Sequence, residues 1–271
     1  MQHLILAYKE IGQTPLEVIN QLKQINSELD SEKITYAGRL DPMAHGLLLL
    51  LVGEEGKKRD QYLALPKTYE FEVMFGLQTD TYDLLGYAEE SEIKLVSKNV
   101  NIFVNTFVEN HIGKQWQFYP PYSSKPVDGK PLFWWAKNNK LAEITIPKHQ
   151  IEIYEFQNIA IGEVTLKEIK LKIEQAIPHI HGDFRQEKIL KRWEQVFGNE
   201  ENRKGKLLTA TFHITCSSGT YVRELAHQMG QELGCGAIAG DILRTNIGNY
   251  TLDQKHNMFK FYAHKILNTT G

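Results

Sequence analysis

The chain is poor in the residues on which several chemistries depend. Its 271 residues hold two cysteines, Cys216 and Cys235, too few for a disulfide-stapled scaffold or a cysteine-rich zinc site. The apolar run Leu47 to Val52 is far shorter than a membrane span. Met1-Gln2-His3 supplies no basic region ahead of a signal-like stretch, so the cytoplasm is the expected location. Internal repeats, low-complexity tracts and a phosphate loop are all missing. His179-x-His181 with Asp183 has no fourth ligand at a recognisable spacing, so no metal is expected. There is no excess of positive charge either: the formal net charge is -2, which argues mildly against a nucleic-acid partner.

What the chain does have is local. Between His111 and Lys148 six lysines stand against Asp128 and Glu143, a balance of +4. Trp116, Phe118, Tyr119, Tyr122, Phe133, Trp134 and Trp135 lie among them. Basic residues interleaved with aromatics can grip a phosphate backbone and stack splayed bases. The plainer alternative is a core helix with a solvated lysine face, but Tyr119-Pro120-Pro121-Tyr122 rules out one continuous helix. Lys125, Lys130 and Lys137 are the candidate RNA contacts. The other informative stretch is Gly38-Arg39-Leu40-Asp41-Pro42-Met43-Ala44-His45-Gly46, followed by the apolar run and Gly53-Glu54. Pro42 biases Asp41 toward an extended or turn conformation, which places one carboxylate at the mouth of a core element. Either a turn cap or a nucleophile fits that position.

Periodicity organises the rest. Leu4 to Tyr8 reads as a strand, and Thr14-Pro15-Leu16-Glu17 as a capping box opening a helix with Val18, Ile19, Leu22 and Ile25 on one stripe. Thr68 to Phe75 alternates, with Tyr69, Phe71, Val73 and Phe75 on one face, and Thr209 to Cys216 alternates again. Thr220 is placed to cap a helix that Gly234 stops, which sets Tyr221 and Arg223 in its first turn. A cation there opposes the helix dipole, so Arg223 is expected to serve a nearby anion, Asp41 or a phosphate. Residues 173–206 read as a helical insertion between two strands, with Asp183-x-x-Gln186 capping a helix that carries Ile189, Leu190, Trp193, Val196 and Phe197.

The string Gly38-x-Leu40-Asp41-Pro42-x-Ala44-x-Gly46-x-Leu48 resembles the catalytic motif of TruB-type tRNA pseudouridine synthases. Three further segments match in that family's order: Lys67-Thr68-Tyr69, Gly76-x-x-Thr79-Asp80-Thr81-x-Asp83-x-x-Gly86, and Ser218-Gly219-Thr220-Tyr221-Val222-Arg223 running on to Leu233-Gly234-Cys235-Gly236-Ala237. The resemblance implies an α+β pseudouridine synthase fold, with a mixed, mostly antiparallel central sheet flanked by helices and a cleft across it. Residues 1–250 would form the catalytic domain. It implies Asp41 as catalytic aspartate, Tyr69 stacked on the uracil, Arg223 aiming the carboxylate, and Tyr221, Asp83 and Leu243 lining the pocket. Tyr36 stands where the family commonly has a histidine and is expected to stack in the space left by the flipped base. The Leu243-Arg244 match needs a one-residue gap; without it Ile242 takes the pocket position. The implied substrate is the T-loop uridine at position 55 of tRNA, with no cofactor, no obligatory protein partner and a monomeric enzyme. Residues 251–271 are expected to form a C-terminal helix in place of the family's RNA-binding PUA module. A synthase for ribosomal or other RNA, and a non-catalytic RNA-binding or tRNA-folding protein, are the alternatives.

Overall fold

A computed structural model of the chain describes residues 4–89, 100–198 and 205–252. The expected polar loop after Gly198 and all but the first residues of the expected C-terminal helix lie outside them. The strands are β1 (Leu4–Lys9), β2 (Ile34–Tyr36), β3 (Ala44–Val52), β4 (Lys67–Phe75), β5 (Gly113–Phe118), β6 (Pro126–Val127), β7 (Lys130–Pro131), β8 (Lys148–Thr165), β9 (Lys206–Cys216), β10 (Ala237–Ile247) and β11 (Tyr250–Thr251). The main sheet runs β1-β3-β10-β4-β9-β8-β5, with β2 added to β3 and β11 to β10. Its pairings are antiparallel except that of β3 with β10. The sheet is therefore mixed and mostly antiparallel, and helices cover its faces. Leu47 to Val52 is buried throughout, as a strand covered on both faces requires.

The helices are α1 (Pro15–Ile25), α2 (Arg59–Ala64), α3 (Val100–Asn110), α4 (Leu132–Lys137), α5 (Leu166–Ala176), α6 (Gln186–Phe197) and α7 (Val222–Leu233). The expected capping box forms at α1: Thr14 Oγ1 accepts from the Glu17 N–H, and the Glu17 carboxylate accepts from the Thr14 N–H. Such a cap contributes about 1 kcal/mol. Phe71, Val73 and Phe75 of β4 pack with α3 and α7 on one face of the sheet. Met74, on the opposite phase of the same strand, packs with α5 and α6. One strand alternation thus decides which helix pair each side of the sheet receives.

Three local expectations are corrected. The excursion between β8 and β9 begins at Leu166 rather than residue 173, because Thr165 and Glu168 form a second capping box that starts α5 where strand pairing with Lys206 ends. Asp183 does not cap α6. Arg185 takes the N-cap position at φ 64°, while the Asp183 carboxylate accepts from the Arg185 N–H at 3.3 Å. Thr220 does not cap α7 either: its hydroxyl donates to the Ser217 carbonyl, and Tyr221 stands at the N-cap without a side-chain bond. Gly234, at φ 74°, closes α7 as expected.

Candidate active site

A cavity of about 600 Å³ opens over the middle of the sheet, and Asp41, Tyr69, Asp83, Tyr221 and Arg223 all line it. Asp41 lies on the turn that enters β3, its carbonyl accepting from the Ala44 N–H at 3.1 Å. Arg223 comes from the first turn of α7 and is 3% exposed, against 33% for Asp41. A buried guanidinium must have its donors satisfied. Nε donates to Asp41 Oδ2 at 2.7 Å, Nη1 to the Thr81 carbonyl at 2.7 Å and Nη2 to the Tyr122 carbonyl at 3.0 Å. The two carbonyls fix the guanidinium plane, and Nε aims one carboxylate oxygen. The expectation that Arg223 serves an anion rather than its own helix holds.

Asp83 is buried, with Oδ1 accepting from Thr81 Oγ1 at 2.6 Å and from the Leu85 N–H at 3.0 Å. Burial pushes its carboxyl up to about 6, against the pull of the Arg223 charge and the Thr81 hydrogen bond. Tyr221 is set by the Gln117 side-chain amide, which accepts from the Tyr221 N–H at 2.9 Å and donates to the Tyr221 carbonyl at 3.1 Å. Burial and the nearby Asp41 charge raise its phenol to about 12, so the ring enters the cavity as a neutral wall.

Tyr69 stands directly across from Arg244 in the β4–β10 ladder, which puts both side chains on one face. Arg244 is 1% exposed. Its Nε donates to the Leu47 carbonyl at 2.8 Å and its Nη2 to the Gly38 carbonyl at 3.1 Å. Burial raises the Tyr69 phenol while Arg244 opposes the shift. Gly46 faces Arg244 across the parallel β3–β10 pair at φ 109°, and a Cβ there would collide with the Arg244 carbonyl. Only glycine permits that approach.

Lys9 supports the Asp41 turn from below. It is fully buried, and its ammonium donates to the carbonyls of Ala44 at 2.6 Å, Glu10 at 3.0 Å and Pro42 at 3.4 Å. Burial lowers its pKa to about 8 despite the Asp41 charge. Lys67, also buried, donates to the Leu63 and Leu65 carbonyls at the end of α2, where a cation complements the helix dipole. Neither Lys9 nor Arg244 stands out in the sequence as a site residue. The available signal is phase: Lys9 shares an inward face with Ile5 and Ala7, and Arg244 shares one with Ile242.

Two expected pocket residues lie elsewhere. Tyr36, in β2, packs against the cluster under α1 and does not line the cavity. Leu243 points to the other side of β10 and covers Gly46, while Ile242 lines the cavity. Of the three lysines, only Lys137 lines the cavity, and its ammonium donates to the Asp183 carbonyl at 2.7 Å. Lys130 sits 3.4 Å from the centre of the Trp134 ring, and Lys125 5.2 Å from that of Tyr119. The inserted residues are not a detached face. His181, Asp183, Phe184 and Arg185 form part of the cavity wall.

A family model described as TruB family pseudouridylate synthase (N terminal domain) matches residues 26–177. The chain is 27% identical over 270 residues to the tRNA pseudouridine synthase B of Thermotoga petrophila, covering 99% of this chain and 70% of that protein. It is 30% identical over 254 residues to the tRNA pseudouridine synthase B of Bacillus subtilis, covering 93% of this chain and 67% of the relative. Among solved structures, a chain of a Cbf5-Nop10-Gar1 complex matches with a TM-score of 0.55 at 18% identity, over 93% of this chain and 50% of that one. That likeness is one of fold, and this chain spans about half the length of the solved one. The matched family segment contains the Asp41 turn, Tyr69 and Asp83, and the longer alignments extend through Arg223. With an ion-paired aspartate and a half-buried tyrosine gathered in one cavity and a family model covering more than half of its length, the chain belongs to the TruB family of pseudouridylate synthases.

Proposed function

We propose that this enzyme converts the T-loop uridine at position 55 of tRNA to pseudouridine, with Asp41 as the nucleophile. The observation that carries the reading is the Arg223–Asp41 pair, a carboxylate aimed into the same cavity that Tyr69 lines. Support also comes from relatives named tRNA pseudouridine synthase B. In this isomerisation the N1–C1′ bond of uridine breaks, the uracil turns, a C5–C1′ bond forms, and the proton lost from C5 is balanced by one taken up at N1. No electron or outside group is exchanged, so neither a cofactor nor a metal is part of the proposal. Asp41 supplies the nucleophile, and the Arg223 Nε bond orients it. The target uridine leaves its stack to enter the cavity, and a volume of about 600 Å³ admits a nucleotide.

Tyr69 stacks on the base in this scheme. Burial raises the pKa of its hydroxyl, which stays protonated. Any part it takes in removing the C5 proton therefore runs through the neutral hydroxyl, not through a free phenolate. Tyr69→Phe is expected to bind tRNA normally and to lose turnover, whereas Tyr69→Leu loses the stacking platform as well and weakens binding. Single-turnover rates and affinities for the two variants separate these roles; equal, near-normal rates would make Tyr69 a core residue only.

The segment from β5 to α4 is proposed to hold the T-arm. Lys125 and Lys130 rest on aromatic rings and have charge to offer a phosphate, whereas Lys137 is paired with Asp183. Replacing Lys125 and Lys130 by Gln should flatten the dependence of log K on log salt by about 0.7 to 0.9 for each phosphate no longer neutralised, with chemistry on bound RNA unchanged. An unchanged slope would put the RNA on another surface.

The direct test of the function uses two tRNA transcripts, one natural and one with cytidine in place of the T-loop target, followed by base-resolution pseudouridine mapping. Pseudouridine at that single position, absent from the cytidine transcript, is the expected result. Modification elsewhere, or none, would overturn the substrate assignment.

A further inference from the structure

The inserted stretch between β8 and β9 touches the Asp41 turn by two separate routes. On one side, the His181 N–H donates to the Gly12 carbonyl at 3.5 Å, and the Gly12 N–H donates to the Pro42 carbonyl at 2.9 Å, next to Asp41. The His181 ring also pairs with Glu17 of α1 at 3.0 Å. On the other side, Arg185 Nη1 donates to Asp80 Oδ2 at 2.8 Å, and its guanidinium lies 4.5 Å from the centre of the Tyr122 ring. The Tyr122 carbonyl is the acceptor that fixes Arg223 Nη2. Tyr122 therefore meets Arg185 through its ring and, through its carbonyl, the guanidinium that aims Asp41.

Two features indicate that the Arg185 side chain is needed where it is. Its backbone sits at φ 64°, a left-handed conformation that glycine adopts freely and arginine does not. The Asp183 carboxylate holds that backbone by accepting from the Arg185 N–H, while the Asp183 carbonyl accepts from Lys137 at the end of α4. Ionic and cation–π interactions therefore join the insertion to the segment that carries Tyr122.

We propose that Arg185 is a positioning residue for the isomerisation: from the insertion it fixes Tyr122, and through the Tyr122 carbonyl it fixes Arg223 and the line of approach of Asp41. The inference rests on the proposed uridine isomerisation for its rate readout, but the network of side chains itself does not. The Arg185 guanidinium is engaged by Asp80 and the Tyr122 ring, so its removal is expected to change the rate on bound RNA and to leave affinity alone.

The test compares the full chain with Arg185→Gly, which suits the left-handed backbone and so removes the side chain without a folding penalty at φ. Arg185→Lys keeps the charge but loses the planar stack on Tyr122. Lys188→Ala, exposed on α6 away from the cavity, is the control. With T-arm-containing tRNA at saturation, the single-turnover rate of Arg185→Gly is expected to fall about ten- to a hundredfold, the scale set by a small misplacement of reacting groups. Arg185→Lys should fall between, Lys188→Ala should match wild type, and tRNA affinity should be the same in all four proteins. Hydrogen–deuterium exchange without RNA should show faster exchange in residues 119–137 of Arg185→Gly, with β3 and β4 unchanged. A wild-type rate at saturation in Arg185→Gly would overturn the proposal. A loss confined to affinity would also overturn it, making Arg185 an RNA contact. If the wild-type protein leaves tRNA unmodified, the substrate reading has failed, and the exchange measurement decides the network alone: unchanged exchange at 119–137 overturns it.

Discussion

Asp41→Asn is expected to lose product formation by a factor on the order of 10⁴ or more while tRNA binding stays close to wild type. The amide has nearly the shape of the carboxylate, and its oxygen can still accept the Arg223 Nε bond now made at 2.7 Å. What it lacks is the negative charge and the nucleophilic oxygen. The fold should tolerate the change, because Arg223 keeps the Thr81 and Tyr122 carbonyls and Asp83 remains in its field. Tritium release from C5-labelled uridine in tRNA, read beside filter binding of the same RNA, separates chemistry from affinity. Appreciable turnover by the variant would remove Asp41 from the mechanism.

Arg223→Lys should fail in a different way, losing stability together with activity. An ammonium is a single point and cannot serve Asp41, Thr81 and Tyr122 at once. Two buried carbonyls would lose their donors, and Asp41 its aligned partner. Leaving such groups unsatisfied costs about 1 to 3 kcal/mol each, so a fall in Tm of roughly 5 to 10 °C is expected for a chain of this size. Turnover should drop about a thousandfold or more, since the carboxylate is no longer aimed. Thermal unfolding and single-turnover kinetics on the same preparation test both parts. Wild-type values in both would remove Arg223 from the aiming of Asp41.

The parts of this site that are legible in the sequence are those whose cause is local. The Asp41 turn is bracketed by glycines and followed by proline, the capping box at Thr14 is complete within four residues, and the alternation of β4 puts Tyr69 on a defined face. Lys9 and Arg244 are hidden because their partners are distant. Lys9 reaches a carbonyl 35 positions away and Arg244 one 197 away, and a charged residue on a strand reads as exposed until those carbonyls are in place. Leu243 is misassigned for a geometric reason. β10 carries register shifts between Ala239 and Asp241 and between Arg244 and Asn246, and each bulge moves the strand's phase. Tyr36 faces away from the cavity because its short strand packs on the α1 side of β3. The wall formed by the insertion depends on docking between segments far apart in the chain, which no local pattern encodes.

The place of β10 in the sheet also constrains how the protein is made. β10 lies between β3 and β4, so the apolar run Leu47–Val52 of β3 and the strand β4 that follows it in the chain leave the ribosome well before the strand that joins them. The start of β10 at Ala237 follows the end of β4 at Phe75 by 162 positions, which at about 5 to 20 residues per second correspond to roughly 8 to 30 s of synthesis. For that interval two apolar strand edges wait without their common partner, and such edges are templates for wrong pairing. Nascent chains of this protein are therefore most vulnerable to aggregation just before β10 emerges, the moment at which a holdase chaperone has most to protect.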